Sequence, residues 1–266
     1  MNERILRMSR FRHALYLALL VALIPAALSA QKSGADVLKR MHDKYAGKWY
    51  GTLTFTQRTT RAGRNGGPPV ISTWYEAMWF TSPGGAKLRI DTGDPSAGNG
   101  VLYTADSSWS VRGGNAQPAN GNGNAFIPLI ESVYLQPADE TIKQLAEEHI
   151  DFSKVADVTW QGRPAWAVGA NSPSDTTSPQ FWIDKDRLVL VRMFVAFAAN
   201  NAPLDVHLDS LVQTGGGWLA TKVTMLRNGS PVQTEEYSGW KTKMALDPKL
   251  FDPASWSTVT HWTKAP

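Results

Sequence analysis

Trp74-Tyr75-Glu76-Ala77-Met78-Trp79-Phe80 is a strand with large apolar side chains on both faces. Trp74, Met78 and Phe80 share one face and Tyr75, Ala77 and Trp79 the other, because successive side chains of a strand point to opposite sides. Thr81-Ser82-Pro83-Gly84-Gly85 ends it. Lys87-Leu88-Arg89-Ile90-Asp91 follows and stops at Thr92-Gly93-Asp94-Pro95. Val101 to Ala105 then turns through Asp106-Ser107-Ser108 into Trp109-Ser110-Val111. Period-two alternation bounded by Gly, Pro, Asn and Asp marks short strands. A solvated sheet keeps one polar face, so this pattern predicts a sheet that packs on one side and encloses something on the other.

Toward the N-terminus, Arg4, Arg7, Arg10 and Arg12 precede an apolar run from Ala14 to Ile24, and Pro25 and small residues lead to Ala30. That order describes a secretory signal peptide, assigning residues 1–30 to a leader and 31–266 to the mature domain. The run is shorter than the roughly 20 residues of a membrane span. The leader holds four of the 27 Lys and Arg and one of the 23 Asp and Glu, so without it the formal net charge falls from +4 to +1. The basic balance therefore gives no support to a nucleic-acid partner. The chain has no Cys, which excludes disulfides, a Cys nucleophile, thiolate metal sites and an acylated N-terminal Cys. The expected mature protein is soluble, exported and monomeric.

Asp36 to Tyr45 reads as an amphipathic helix with Val37, Leu38, Met41 and Tyr45 on one stripe. A strand from Trp49 to Thr59 follows. Gly113 to Asn124 is an aperiodic Gly/Asn-rich loop. Phe126, Leu129, Ile130, Val133 and Tyr134 then follow helical spacing, and Pro137 suits the first turn of a further helix running to Ile150. The remainder is nearly all strand, with Gln161-Gly162-Arg163-Pro164 and Asn228-Gly229 as hairpin turns. Arg187 to Phe197 repeats the two-faced pattern, with Val189, Val191, Met193, Val195 and Phe197 on one face. One mainly β domain is expected, of about a dozen antiparallel strands with one or two helical insertions.

Four stretches resemble the periplasmic outer-membrane lipoprotein carrier (Lol-type) family: Leu53-Thr54-Phe55-Thr56-Gln57, Ala77 to Pro83, Thr104 to Trp109, and Ala125-Phe126-Ile127-Pro128-Leu129-Ile130. Phe181-Trp182-Ile183-Asp184 and Phe251-Asp252-Pro253 also fit, in the same order across most of the mature chain. The resemblance implies a single curved, incompletely closed antiparallel β-barrel, with helices covering an apolar cavity that holds acyl chains. It implies a periplasmic carrier in lipoprotein sorting, with acyl chains of lipids or lipoproteins as ligands and inner-membrane donor and outer-membrane acceptor proteins as partners. Ser82 stands where the carrier has a basic Arg against its lid, so lipid binding is better supported than lipoprotein delivery.

Combining this with strand parity, the expected cavity residues are Leu53, Phe55, Trp74, Met78, Phe80, Val191, Met193 and Val195, with Leu129, Ile130 and Val133 from the lid. Such a cavity needs shape and dryness, without polar chemistry. Met193→Glu is then expected to abolish lipid uptake with the fold retained. No catalytic residue, metal or cofactor is assigned. No His-Glu-x-x-His or Gly-x-Ser-x-Gly occurs, and Ser238-Gly239-Trp240-Lys241 lies in an expected strand. Glu235-Glu236 reads as a solvated pair whose side chains point to opposite faces. Eleven tryptophans leave a carbohydrate-binding module as an alternative, with Trp160 and Trp166 as the expected exposed pair; an envelope sensor is another.

Overall fold

The computed structural model describes residues 33–121, 123–195 and 203–264. The expected leader lies outside them, as do Ala196 and Phe197. Helix α1 (Gly34–Tyr45) opens on a capping box, Ser33 accepting from the Asp36 amide while the Asp36 carboxylate accepts from the Ser33 amide. It buries Val37, Leu38, Met41 and Tyr45, the stripe expected from spacing.

Among the described residues, thirteen antiparallel strands form one sheet that is not closed into a barrel. β1 (Thr52–Arg61), β2 (Val70–Thr81), β3 (Gly85–Thr92), β4 (Gly100–Tyr103), β5 (Ser108–Arg112) and β6 (Asn115–Ala116) pair in chain order. β7 (Val155–Trp160), β8 (Arg163–Val168), β9 (Gln180–Asp184), β10 (Leu190–Val195), β11 (Leu204–Thr214), β12 (Gly217–Arg227) and β13 (Ser230–Thr242) form a second arm. β1 pairs with β13, so the first and last strands meet at mid-sheet and β6 and β7 are the edges. The segment between β6 and β7 therefore has to travel from one edge to the other. It does so through α2 (Ile127–Ile130), a 3-10 turn at Ser132–Tyr134 and α3 (Ala138–Gln144).

The two faces of β2 have separate destinations. Trp74, Glu76 and Met78 face a cavity. On the other face, Ala77 joins Leu102, Val111, Leu250, Phe251, Trp256 and Trp262 in a second core, with Tyr75 and Trp79 packed against it. The C-terminal segment thus clasps the outer side of the first arm. At its centre, the Arg89 guanidinium donates to both carboxylate oxygens of Asp91 at 2.8 and 2.9 Å and lies 3.8 Å from the Trp256 ring centroid. Both charged side chains are buried, and His261 Nε2 lies 3.3 Å from Asp91.

Several expectations change. The Gly/Asn-rich stretch is partly paired: β6 joins β5, and Ser108 and Asn120 exchange backbone hydrogen bonds of 2.9 and 2.8 Å. The lid helix breaks at Glu131, whose φ of −136° is not helical. The helix after Pro137 stops at Gln144, and His149 is left-handed at φ 55°, which no helix continues. Trp166 is buried rather than exposed, with the Arg40 and Lys185 cations over its ring, and Trp160 is half-buried against Trp182 and His207. None of the eleven tryptophans is exposed.

Candidate functional site

Both arms contribute to one cavity of about 820 Å³. Leu53 and Phe55 come from β1, Leu88 and Ile90 from β3, Val206 and Leu208 from β11, and Leu219 and Val223 from β12. Ile127, Pro128, Ile130 and Tyr134 close it from the edge-to-edge segment. A sheet whose two arms line the same cavity must wrap around it.

The expected site residues fall into two groups. Leu53, Phe55, Trp74, Met78, Ile130 and Val195 line the cavity. Leu129, Val133, Val191 and Met193 are buried in the main core without lining it, and Phe80 packs against that core half-buried. The cause is visible in one cross-strand row, Val168, Phe181, Met193 and Val206, on the inner face. α1 starts so close to its first member that a Cβ on Gly34 would lie 2.4 Å from Val168, whereas Val206 reaches the cavity. Met193 sits between, fully buried. Met193→Glu would bury a charge in packed core and is expected to cost the fold, so it cannot report on uptake as anticipated.

The cavity is not wholly apolar. Glu76, Gln57, Glu235 and Tyr237 line it, with Gln57 on β1 set between β2 and β13. This corrects the solvated reading of Glu235-Glu236: Glu236 is exposed and pairs with Arg58 at 2.9 Å, but Glu235 is only 7% exposed. Glu235 accepts from Tyr237 at 2.8 Å and from Gln233 at 2.5 Å. Burial raises its pKa above the usual carboxylate value, against those bonds and the nearby Arg61. Glu76 is 5% exposed and has no hydrogen-bond or ion-pair partner among the described residues. Burial, then the negative charge of Glu235, pushes its pKa well up. Arg61 marks this end, lying 4.8 Å over the Trp74 ring and donating to Gln233.

At the lid, Trp49 Nε1 donates to Glu131 Oε2 at 2.9 Å, and the Trp49 and Tyr134 rings stack at 3.6 Å. Glu131 is 1% exposed, its other oxygen has no partner, and burial raises its pKa well above the ordinary value. Sequence reading missed all three buried glutamates. Parity does place Glu76 beside Trp74 and Met78, and that was the available signal.

No family model and no curated protein matches the sequence. Solved structures do match. One is a DUF1329 family protein from Desulfovibrio piger, with TM-score 0.55, 13% identity, and 82% of this chain and 95% of that one covered. A second is a domain described as outer membrane lipoprotein-sorting from Vibrio parahaemolyticus, with TM-score 0.55, 13% identity, and coverage of 84% and 98%. A third is a LolA superfamily protein from Nitrosomonas europaea, with TM-score 0.51, 9% identity, and coverage of 82% and 97%. Identities this low speak to architecture alone, and on that evidence the chain has a Lol-type fold.

Proposed function

We propose that this protein is a non-catalytic carrier or binder of lipid or lipoprotein acyl chains in the periplasm, exported by a leader over residues 1–30. The observation that carries the reading is the lidded cavity of about 820 Å³, within the size range of small-ligand sites. Its apolar walls come from both arms of the sheet. About a dozen buried methylenes at ~0.8 kcal/mol each give roughly 10 kcal/mol of gross driving force, before the cost of association. The fold likeness to the lipoprotein-sorting domain and the LolA superfamily protein supports the same reading. Delivery between an inner-membrane donor and an outer-membrane acceptor is the finer part of the proposal. A carbohydrate platform is disfavoured because no tryptophan ring stands free in solvent.

Native mass spectrometry of protein gently isolated from the periplasm tests this. Co-purifying fatty acid, phospholipid or acylated peptide is expected. Absence of any lipid, together with no uptake of a fluorescent fatty-chain probe, would overturn it.

A further inference from the structure

A cavity meant only for hydrocarbon would have no use for two carboxyl groups. Burying a carboxyl without a partner is unfavourable, and burying two near each other is more so. Yet Glu76 and Glu235 lie on the inner face of β2 and β13, with β1 between them. Their circumstances differ. Glu235 has its donors, Tyr237 and Gln233, and Arg61 nearby. Glu76 has none, and the charge acting on it is the negative one of Glu235. It is an unpartnered side chain more than nine-tenths buried and turned into the cavity. Arg61 makes no ion pair with Glu76; its Nε donates to Gln233 and its plane lies over Trp74.

Resting on the carrier reading above, we propose that this end of the cavity is a headgroup site for a protonated amine, so the preferred occupant is a long-chain amine or amine-bearing lipid. An ammonium carries three donors and one positive charge. It would give Glu76 the partner it lacks and relieve its repulsion with Glu235. A phosphate or carboxylate headgroup would bring a negative charge and further acceptors to two carboxyl groups and offer no matching cation. The hydrocarbon chain of such a ligand would run along Phe55, Met78, Leu219 and Val223, which line the same cavity. Charge complementarity at a desolvated site acts mainly as selectivity among chains of equal length.

The test uses the folded mature chain at neutral pH. Dodecylamine, dodecanol and dodecanoate are compared as displacers of a bound fluorescent fatty-chain probe. The amine is expected to displace at roughly tenfold lower concentration than the alcohol, the scale of one charge-assisted hydrogen bond, with the acid weakest. Glu76→Gln, which keeps shape and removes charge, should bring the amine to the level of the alcohol and leave the alcohol unchanged. Glu235→Gln should reduce the amine's advantage less. Dodecanoate matching the amine, or an undiminished preference in Glu76→Gln, would overturn the headgroup site while leaving an acyl carrier. A probe and three chains that all fail to bind would overturn the carrier and this site together.

Discussion

Replacing Arg89 by Met should take away most of the protein's stability without touching the cavity. Arg89 is 2% exposed and Asp91 is fully buried, and their two hydrogen bonds are 2.8 and 2.9 Å long. At an effective dielectric of ~20, charges at that separation attract by about 6 kcal/mol before desolvation. Removing one partner leaves Asp91 buried with His261 at 3.3 Å, and breaking a buried pair costs about 3–5 kcal/mol. Loss of the stack on Trp256 at 3.8 Å adds about 2 kcal/mol. The sum, about 5–7 kcal/mol, compares with a typical total of about 5–15 kcal/mol. Urea denaturation of wild type, Arg89→Met and the double variant Arg89→Met/Asp91→Leu reads this directly. The double variant should recover at least about 2 kcal/mol, because no charge is then stranded. A single variant costing under about 1 kcal/mol, or a double variant as unstable as the single, would refute the reasoning.

Three further outcomes are expected. Burial holds the pKa values of Glu76 and Glu131 well above the ordinary glutamate value of 4.5, and raises that of Glu235 as well. Their contribution to stability is therefore fully present below 4.5 and is lost as pH rises through the folded values. The urea midpoint of ligand-free protein should fall over that rise and fall less in Glu76→Gln; identical profiles would contradict it. Asp205 does not confuse that scan. Despite desolvation, Arg192 and His207 lower it to about 2, and its contribution is lost only as pH falls from 3.8 toward that value. Val223→Trp, from the β12 wall, should cut probe capture by roughly tenfold or more by filling the cavity, at a stability cost within the usual ~1–3 kcal/mol of overpacking. Full capture with the tryptophan in place would move the ligand elsewhere. Trp49→Phe removes the donor to Glu131 and should cost about 1–3 kcal/mol, with the loss shrinking in a Glu131→Leu background; equal losses in both backgrounds would show that the contact carries no energy.

Much of the fold was legible because strand parity is a strong signal. The alternation of Trp74 to Phe80 correctly separated two faces, and the structure gives each face its own packing: cavity on one, the C-terminal clasp on the other. Parity reports side, not depth. Val191 and Met193 are buried in packed core, and Met193 lies on the same face as Val206, but where α1 lands decides which part of that face is solid and which is hollow. That placement depends on contacts such as Gly34 against Val168, far apart in sequence. The buried glutamates were hidden for a related reason. Glu235 and Glu236 look alike as letters, and only the β1–β13 pairing shows that one faces the cavity and the other meets Arg58 in solvent.

The pairing of β1 with β13 also shapes how the molecule comes into being. Each arm is local in sequence, a run of neighbouring hairpins, but the junction at mid-sheet joins Arg58 to Glu236, 178 positions apart. Contacts of such long separation form late, since a large loop must close before they return any energy. The seam between β1 and β13 is thus expected to be the last part of the sheet to be completed. Glu76 and Glu235 belong to opposite arms and become neighbours only when this seam closes. A chain released before Ser230–Thr242 has emerged has only one of the two arms that line the cavity joined to β1, so the cavity is enclosed only with the final strand of the sheet.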